Sequence, residues 1–362
     1  MKSEIKLVIL APGFATDEND STAFPALQLF LANLHSLYPE TAIRLVTFFY
    51  PFRRGNYNWK GIDVYAAGGF WRKPMKFFFW IRMLFYLLRL KREEGIDIIH
   101  TFWLSDTTLI GLFFGWMTGI PVITTAMGQD VKKQNRYLWL IRLFKPVIIT
   151  ISDLQSNILL ETGTTPLKMI PFGIDLSYYR HEQDQRGIDI LAAGSLNKIK
   201  NHIQFVEIIR SLAAEFPGLK CGIAGDGKER EEIKRFIHTN KLEKQIVLFG
   251  QLPYNKVIEK MRQSKILLHT SSYEGQGLVL TEALAAGAYV VCYPVGTAWN
   301  RADKKLRTGT TNQELRQHLI DILMDPNQDF SPEIFYNIED TCSEYNEIYH
   351  TFVLKRSYDN HS

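Results

Sequence analysis

The sequence contains few cysteines and none of the short motifs that bind metals. Among its 362 residues are three cysteines, Cys221, Cys292 and Cys342. Their odd number, and the position of the first two in apolar strand-like runs, favour buried thiols in a reducing compartment over a disulfide framework. Because neither Cys-x-x-Cys nor His-Glu-x-x-His occurs, we expect no bound metal and no other cofactor.

The sequence also lacks a signal peptide, a membrane-spanning run and a dinucleotide-binding motif. Residues 1–6 lead directly into a first strand, which predicts a cytoplasmic protein. The most apolar segment, residues 75–92, has an apolar core of about twelve residues interrupted by Arg82, which is too short to span a bilayer. No Gly-x-Gly-x-x-Gly follows the first strand, which argues against a dinucleotide-binding dehydrogenase.

Acidic residues are scarce between Arg44 and Arg92, where eleven Lys and Arg accompany a single acid, Asp63. A basic segment of this kind suits nucleic acid or an anionic membrane surface. Aromatic residues interleave the basic ones, and the motifs of nucleic-acid-binding proteins are absent. We therefore expect an anionic membrane surface as a partner, and no nucleic acid.

Residues 75–92 permit two interpretations. As a helix the segment is apolar over most of its circumference, with basic residues at its ends and along one edge. It is either a core helix packed on a sheet or an interfacial helix whose aromatic side chains enter the headgroup region of a membrane. The neighbouring basic residues at 53–54 and 71–73 leave the two interpretations evenly matched.

The most informative stretch is residues 271–287, which follows the apolar run Lys265–His269. It predicts a strand, a glycine-containing turn and the start of a helix. Gly275 and Gly277 allow the backbone to approach a ligand closely, and the N–H groups of a helix beginning there suit a phosphate or diphosphate. Two carboxylates flank this anion site, Glu274 in the turn and Glu282 inside the helix, and carboxylates suit the hydroxyls of a sugar or ribose.

This stretch resembles the signature of the GT-B glycosyltransferases of family 4, in which two Glu separated by seven residues stand in the same context. The resemblance implies that Glu274 is catalytic and contacts the donor sugar, and that Glu282 binds the ribose of the donor. It further implies that four residues between them hold the diphosphate: Gly275, Gln276, Gly277 and Leu278. The implied fold is α/β, with two Rossmann-like doubly wound domains facing a central cleft.

The length and the order of segments agree with two domains of about 150–180 residues each. Apolar segments alternate with helical stretches along the first half, which predicts parallel sheets with right-handed crossovers. Residues 170–175 resemble the family's crossing into the second domain. We predict an acceptor-side domain at 1–175, a linker at 181–187, a donor-binding domain at 176–331, and a C-terminal helix at 332–354 that packs back on the first domain.

Three residues of the first domain are candidates for the site. Gly13 follows the first strand and is a candidate for the donor site, with an ordinary turn glycine as the alternative. His100 ends a later strand, and Asp130 lies in a segment that resembles the family's His-Gly-x-Asp, with Met127 in place of the histidine. We expect His100 and Asp130 to meet sugar or acceptor hydroxyls in a catalytic role; the alternative for His100 is a strand-end histidine whose hydrogen bonds are made by the backbone.

The second domain opens with a segment that is similar to the family's Gly-Arg-Leu-x-x-x-Lys. In that family the Arg and the Lys hold the diphosphate of the donor. Here Lys200 matches the Lys, whereas Ser195 stands where the Arg is usual, and Lys198 supplies a neighbouring charge. Ser195 and Lys200 are therefore predicted donor-binding residues.

The resemblance implies a retaining, metal-independent glycosyltransferase. It would move a hexosyl unit from a nucleoside-diphosphate sugar to a saccharide or lipid-linked acceptor, in the synthesis of a cell-surface polysaccharide or glycolipid at the inner face of the membrane. One alternative is a non-catalytic nucleotide-sugar-binding subunit, which the departures at Met127 and Ser195 favour. The other is a GT-B sugar-nucleotide epimerase or phosphorylase, which has less use for a basic, aromatic surface.

Overall fold

The computed structural model describes residues 5–69, 73–179 and 185–359. The chain divides into two compact units, one comprising Met1–Gly173 with Ile338–Ser362 and the other Ile174–Asn337. The sequence analysis placed the two crossings after residues 175 and 331, so the chain returns to the first unit later than predicted. Most of the predicted linker lies outside the described residues.

The first unit is built on a sheet of eight strands among the described residues. Its strands are β1 (Ile5–Gly13), β2 (Thr41–Tyr50), β3 (Gly55–Trp59), β4 (Ile62–Ala66), β5 (Ile98–Phe102), β6 (Val122–Thr125), β7 (Val147–Thr150) and β8 (Lys168–Met169). In space they follow the order β3-β4-β2-β1-β5-β6-β7-β8, and every neighbouring pair is parallel except β3 with β4. The predicted parallel sheet is confirmed.

Helices connect these strands and cover the sheet. They are α1 (Pro25–Leu37), α2 (Lys73–Glu93), α3 (Asp106–Thr118), α4 (Leu138–Leu143) and α5 (Asp153–Glu161). The α3 helix ends at Gly119, whose positive φ of 68° continues the chain into β6. One core joins Phe48 of β2, Met83 of α2 and Phe114 of α3. The alternation of strand and helix therefore buries the sheet as a doubly wound domain requires.

The second unit repeats this architecture. Its strands are β9 (Ile188–Ala193), β10 (Cys221–Ala224), β11 (Ile246–Gly250), β12 (Ser264–His269), β13 (Tyr289–Cys292) and β14 (Leu306–Thr308), and its helices are α6 (His202–Ala213), α7 (Arg230–Thr239), α8 (Tyr254–Arg262), α9 (Leu278–Ala285) and α10 (Asn312–Leu323). The strands are parallel in the order β11-β10-β9-β12-β13-β14. The strand order reverses between β9 and β12, which is where ligands bind in open α/β sheets.

The sequence of β9 shows why both faces of this sheet are covered. Successive side chains of a strand point to opposite faces, and here Ile190 joins the core formed with α6, α7 and α10 whereas Leu191 joins the core formed with α8 and α9. From Ile190 to Ala193 the strand is apolar and buried, because neither of its faces meets water there. Cys221 and Cys292 are buried free thiols in these cores, as predicted.

The last helix, α11 (Ile338–Asp359), belongs to the first unit. It begins later than the predicted residue 332, because the preceding backbone bonds elsewhere. Glu333 N donates to the carbonyl of Leu284, and the carbonyl of Tyr336 accepts from Ile174 N. From Ile338 onward the helix packs on α1, and its Tyr345 ring lies 5.0 Å from that of Phe30.

The α2 helix packs one face on the core of the first unit, as the core interpretation predicts, and exposes aromatic side chains on the opposite face. Phe79, Met83, Leu87 and Leu90 are buried in the core of the first unit, whereas the exposed large side chains of the helix are Phe77, Phe78, Phe85 and Leu88. These two sets lie on opposite faces of a helix with 3.6 residues per turn. Within the described residues, no helix is long and apolar enough to cross a bilayer.

Candidate functional site

The two strands that flank the reversal of strand order carry the predicted donor-binding residues. Lys200 lies in the loop that follows β9, and Glu274 lies in the turn that follows β12. The carboxyl ends of parallel strands meet at one edge of a sheet, so the topology brings together residues that are 74 positions apart in the chain. The structure therefore places the two segments that the sequence singled out at the same site.

The turn after β12 leads into the N-terminus of α9. Gly277 adopts φ 79° and ψ 54° at the N-cap and, being a glycine, has no side chain of its own to cap this end of the helix. Gln276 is buried, and its carbonyl accepts a hydrogen bond of 2.6 Å from Thr297 N. The backbone of Gly275 and Leu278 borders the same N-terminus, where N–H groups favour an anion.

The carboxylate of Glu274 receives two hydrogen bonds at one oxygen. Lys200 Nζ donates to Oε1 at 2.6 Å, and His269 Nε2 lies 2.9 Å from the same atom. Burial acts to raise the pKa of Glu274, but the hydrogen bond from His269 and the charge of Lys200 lower it to about 2. The group is therefore an anion near neutral pH, so that His269 Nε2 is the donor of the second bond.

The loop that carries Lys200 is tied to the turn that carries Glu274. Asn197 Oδ1 accepts from the N–H groups of Ile199 and Lys200, at 3.0 and 3.1 Å. The hydroxyl of Thr270 donates to the carbonyl of Lys200, and Ser272 N donates to the carbonyl of Ile199. These bonds set the position of Lys200 relative to Glu274.

Two other residues of this loop are solvent-exposed. Ser195 and Lys198 both lie on the surface of the second unit. Ser195 follows Gly194, which adopts a positive φ of 142° that L side chains rarely adopt. The structure therefore leaves room at Ser195 for the larger Arg that the family has at this position.

Glu282 occupies a different environment from Glu274. It is buried inside α9, and the hydroxyl of Tyr254 donates to its Oε1 at 3.0 Å. Burial raises the pKa of Glu282 to about 7, although the bond from Tyr254 and the charge of Lys200 oppose the shift. The pKa values of the two carboxylates thus shift in opposite directions, because Lys200 and His269 bond to Glu274 whereas burial dominates at Glu282.

Three residues at this site were missed by the sequence analysis: His202, Tyr254 and His269. Tyr254 and His269 bond directly to the two motif carboxylates. His202, the first residue of α6, is buried, and neither ring nitrogen has a hydrogen-bond partner within the described residues. The signal that could have revealed His269 is its place at the end of an otherwise apolar strand, five residues before Glu274.

In the first unit, His100 is a core residue. Its side chain is fully buried, with Nδ1 2.7 Å from the Tyr349 hydroxyl and Nε2 2.8 Å from the Thr125 hydroxyl. Burial lowers its pKa to about 3, so the ring is neutral. This is the alternative weighed for His100 in the sequence analysis, with side chains rather than backbone as the partners, and we do not include it in the site.

Asp130 organises a loop and also lines a pocket. Its Oδ2 accepts from Leu104 N at 2.8 Å and from Met127 N at 3.2 Å, and its Oδ1 accepts from Gly128 N at 2.6 Å. Burial raises the pKa of Asp130 and these bonds oppose the shift. Beside it lies a pocket of about 590 Å³, lined by Leu104, Ser105, Gln129, Asp130, Lys132, Gln134, Asn135 and Tyr137.

Gly13 is buried at the end of β1 and has a structural reason to be glycine. A Cβ at this position would lie 2.6 Å from the Phe24 ring and 2.9 Å from Tyr50 Cβ. The close approach at Gly13 is therefore to two side chains of the protein itself, and we do not include this residue in the donor site.

Parts of this chain are similar in sequence to known glycosyltransferases. Residues 180–320 match the family described as Glycosyl transferases group 1. The GPI3 subunit of the phosphatidylinositol N-acetylglucosaminyltransferase of Saccharomyces cerevisiae is 25% identical over 161 residues, which are 41% of this chain and 36% of that protein. The amylovoran biosynthesis glycosyltransferase AmsD of Erwinia amylovora is 30% identical over 148 residues, or 38% of this chain and 40% of that protein. These matches span less than half of either relative's length.

Solved structures show the same fold. The Alr3699/HepE protein of Anabaena, in a crystal structure with UDP and glucose, superposes with a TM-score of 0.68 over 99% of this chain and 100% of that one, at 15% identity. At this level of identity the likeness shows the fold alone. The predicted GT-B fold of two Rossmann-like domains is confirmed.

Proposed function

We propose that this chain transfers a hexosyl unit from a nucleoside-diphosphate sugar with retention of configuration, and the premise is the match of residues 180–320 to the family described as Glycosyl transferases group 1. The observation that carries the proposal is the convergence of Lys200 and Glu274 beside the N-terminus of α9. This arrangement offers a positive charge and backbone N–H groups to a diphosphate, and a carboxylate to sugar hydroxyls.

The proposed chemistry is electrostatic. As the bond between the sugar and the diphosphate breaks, negative charge accumulates on the leaving phosphate, and Lys200 with the amides of residues 275–278 stabilises it without a metal ion. Glu274, as an anion, accepts hydrogen bonds from the sugar and fixes its orientation. The acceptor hydroxyl attacks from the face that the phosphate leaves, and the departing phosphate takes its proton, which gives retention without a carboxylate nucleophile.

The pocket beside Asp130 is the proposed acceptor site of the first unit. Its lining is rich in amide, hydroxyl and amino groups, which suit a polyhydroxylated ligand. Asp130 keeps this loop in shape through its bonds to main-chain N–H groups. We therefore assign it a supporting role at a saccharide site. The relatives include an amylovoran biosynthesis glycosyltransferase and a subunit of a phosphatidylinositol N-acetylglucosaminyltransferase, so we propose a saccharide or lipid-linked acceptor here.

The exposed face of α2 is the proposed attachment to an anionic membrane surface. Phe78 and Phe85 are 72% and 67% exposed and share this face with Arg89 and Arg92. The loop that contains Arg53 and the exposed Phe52 lies near the same helix. Its backbone is next to Gly68, and the following residue, Gly69, is next to Phe79 of α2. Aromatic and basic side chains on one face suit a headgroup region of anionic lipid.

The structure reduces the charge available for this attachment. Arg44 pairs with Asp63 and Glu94, and Lys76 pairs with Asp106, at distances between 2.7 and 3.3 Å. Arg89 pairs with Glu93 at 2.9 Å. The charges of several basic residues in the segment 44–92 are thus compensated by acidic side chains. Some of these acids, Glu93 and Glu94, directly follow the segment. The predicted residues Arg72 and Lys73 contribute nothing to this argument, since Arg72 and the side chain of Lys73 are not described.

A donor panel tests the proposal. Purified protein is incubated with UDP- and GDP-sugars without acceptor, and the release of nucleoside diphosphate is measured for wild type and Glu274→Ala. We expect slow hydrolysis of one donor, its loss in Glu274→Ala, and no effect of EDTA. Nucleotide binding without turnover of any donor would favour the non-catalytic subunit. Release of an altered sugar nucleotide would favour an epimerase.

A further inference from the structure

The two residues proposed to hold opposite ends of the donor are bonded to each other in the structure. Lys200 Nζ lies 2.6 Å from Glu274 Oε1, and the two side chains are 23% and 13% exposed. Under the proposed function Lys200 binds the diphosphate and Glu274 binds the sugar. The ion pair between them therefore occupies the atoms that the donor needs, and it must open as the donor enters.

Resting on that proposed function, we propose that the Lys200–Glu274 ion pair fills the donor site and that Lys200 leaves Glu274 for the diphosphate when the donor binds. In this exchange His269 is a positioning residue, because it keeps its hydrogen bond to the Glu274 carboxylate. A buried carboxylate that loses a donor carries a desolvation cost. His269 Nε2 already donates to the same oxygen as Lys200. The carboxylate therefore keeps one hydrogen-bond donor throughout the exchange.

The two partners of Glu274 differ in freedom of movement. His269 is the last residue of β12, where it pairs in register with Cys292 of β13, and its side chain is 4% exposed. Lys200 reaches Glu274 on a long aliphatic side chain from a loop. The histidine is thus the fixed donor and the lysine the mobile one, since a lysine side chain has many rotamers and a buried histidine in a strand has few.

The proposed exchange of Lys200 between Glu274 and the diphosphate predicts how variants of this site bind a nucleotide. Glu274 competes with the diphosphate for Lys200, so neutralising Glu274 should release the lysine and strengthen the binding of a nucleoside diphosphate that carries no sugar. His269→Leu should have the opposite effect, because Glu274 then depends on Lys200 alone. His269→Gln keeps a side-chain N–H donor and should restore most of the affinity.

The test is calorimetric titration of wild type, Glu274→Gln, Lys200→Met and the double variant with UDP and with GDP. We expect Glu274→Gln to bind the preferred nucleotide roughly fivefold more tightly, Lys200→Met to bind it more weakly, and the double variant to match Lys200→Met. Unchanged or weaker binding by Glu274→Gln overturns the exchange. A gain that persists in the double variant also overturns it, since simple repulsion between Glu274 and the phosphates would then be the cause. If neither nucleotide binds the wild type, the proposed function fails as well.

The role of His269 has a separate readout. With the donor identified by the panel, His269→Leu should lower kcat for hydrolysis and raise the Kd for the nucleoside diphosphate, and His269→Gln should recover both. Thermal unfolding of each variant shows whether the fold is kept. Equal values for His269→Leu and His269→Gln, whether impaired or normal, would exclude a role of the N–H donor. Glu274→Gln and the double variant test the exchange even if His269→Leu does not fold.

Discussion

Gly296 lies directly against the main-chain carbonyl of Gln276. A Cβ at Gly296 would come within 2.1 Å of that oxygen, and the residue adopts a positive φ of 53°. The next residue, Thr297, donates its N–H to the same carbonyl. The turn that follows β13 therefore supports the turn that carries Glu274, and it does so through backbone atoms.

From this contact we predict that Gly296→Ala impairs nucleotide binding although residue 296 is not part of the proposed donor site. The methyl group forces the backbone at Gln276 to shift, and an L residue at this φ is strained by on the order of 1 kcal/mol or more. Nucleotide titration and thermal unfolding measure the two effects. Gly218→Ala is the matched control, because a Cβ there meets nothing within 4 Å. Equal behaviour of the two variants would contradict the supporting role.

The two lysines in the loop after β9, Lys198 and Lys200, should differ in their contribution to nucleotide affinity. We expect Lys200→Ala to weaken nucleoside-diphosphate binding more than tenfold, equivalent to about 1.4 kcal/mol, because it removes the charge beside the α9 N-terminus. Lys198→Ala, in the same loop but exposed, is the control and should change the affinity little. Dissociation constants by titration decide between them. A larger effect at Lys198 would assign the phosphate contact to that residue instead.

The exposed position of Ser195 leads to a third expectation. Ser195→Arg should preserve or strengthen nucleotide binding, since the exposed site has room for the longer side chain and an Arg can bond a phosphate bidentately. The same titrations measure it. If Ser195→Arg and Lys200→Ala both leave the affinity unchanged, this loop does not hold phosphate.

The raised pKa of Glu282, about 7 against an ordinary 4.5, predicts a pH-dependent stability. Between pH 4.5 and 7 the folded state holds a proton that the unfolded state has released, so the free energy of unfolding falls as the pH rises. Glu282→Gln removes this titration and should gain stability relative to wild type across that interval, by on the order of 1–3 kcal/mol at pH 8. Thermal unfolding without nucleotide between pH 4.5 and 8 tests it.

The control for that series is Glu232→Gln on α7, where the side chain is exposed. It should keep the pH dependence of the wild type. The prediction is wrong if Glu282→Gln and wild type follow parallel curves from pH 4.5 to 8.

The outer face of α2 predicts membrane binding that depends on lipid charge. Phe78→Ser with Phe85→Ser should reduce co-sedimentation with anionic vesicles, and Arg53→Glu with Arg54→Glu should reduce it further in a salt-sensitive manner, since each surface Lys or Arg contributes roughly 1 kcal/mol near anionic lipid. Met324→Ser removes a side chain that is 66% exposed in the second unit and should have no effect. If the protein sediments equally with neutral and anionic vesicles, or does not sediment with either, a soluble acceptor is the better hypothesis.

The core position of His100 predicts a loss of stability rather than of catalysis. His100→Leu leaves the buried Tyr349 hydroxyl without its partner, at a cost of about 1–3 kcal/mol. Tyr349→Phe removes the same hydrogen bond from the other side and should be milder. Thermal unfolding measures the loss, and donor hydrolysis at a temperature where both variants are folded should keep the wild-type rate. If donor hydrolysis slows while the thermal stability is unchanged, His100 has a catalytic role after all.

The sequence alone determined the architecture of this protein and pointed to the glycine turn that is proposed to bind the donor. Apolar runs such as those at residues 43–50 and 265–269 are strands because parallel strands covered on both faces are apolar throughout. The glycine turn with Glu274 and Glu282 was recognisable because its residues are adjacent in the chain. Strands and turns of this kind depend on residues that are close together in the sequence, so they can be predicted without a structure.

Only the tertiary structure decided the environment of each side chain. His100 lies within β5 and His269 ends β12, and both are buried strand residues, yet the first bonds to Tyr349 of α11 and the second bonds to Glu274. Glu274 and Glu282 belong to one motif, yet their pKa values shift in opposite directions, because His269 and Lys200 bond to Glu274 whereas burial dominates at Glu282. These contacts join residues far apart in sequence, and burial and charge depend on which of them meet in the folded chain.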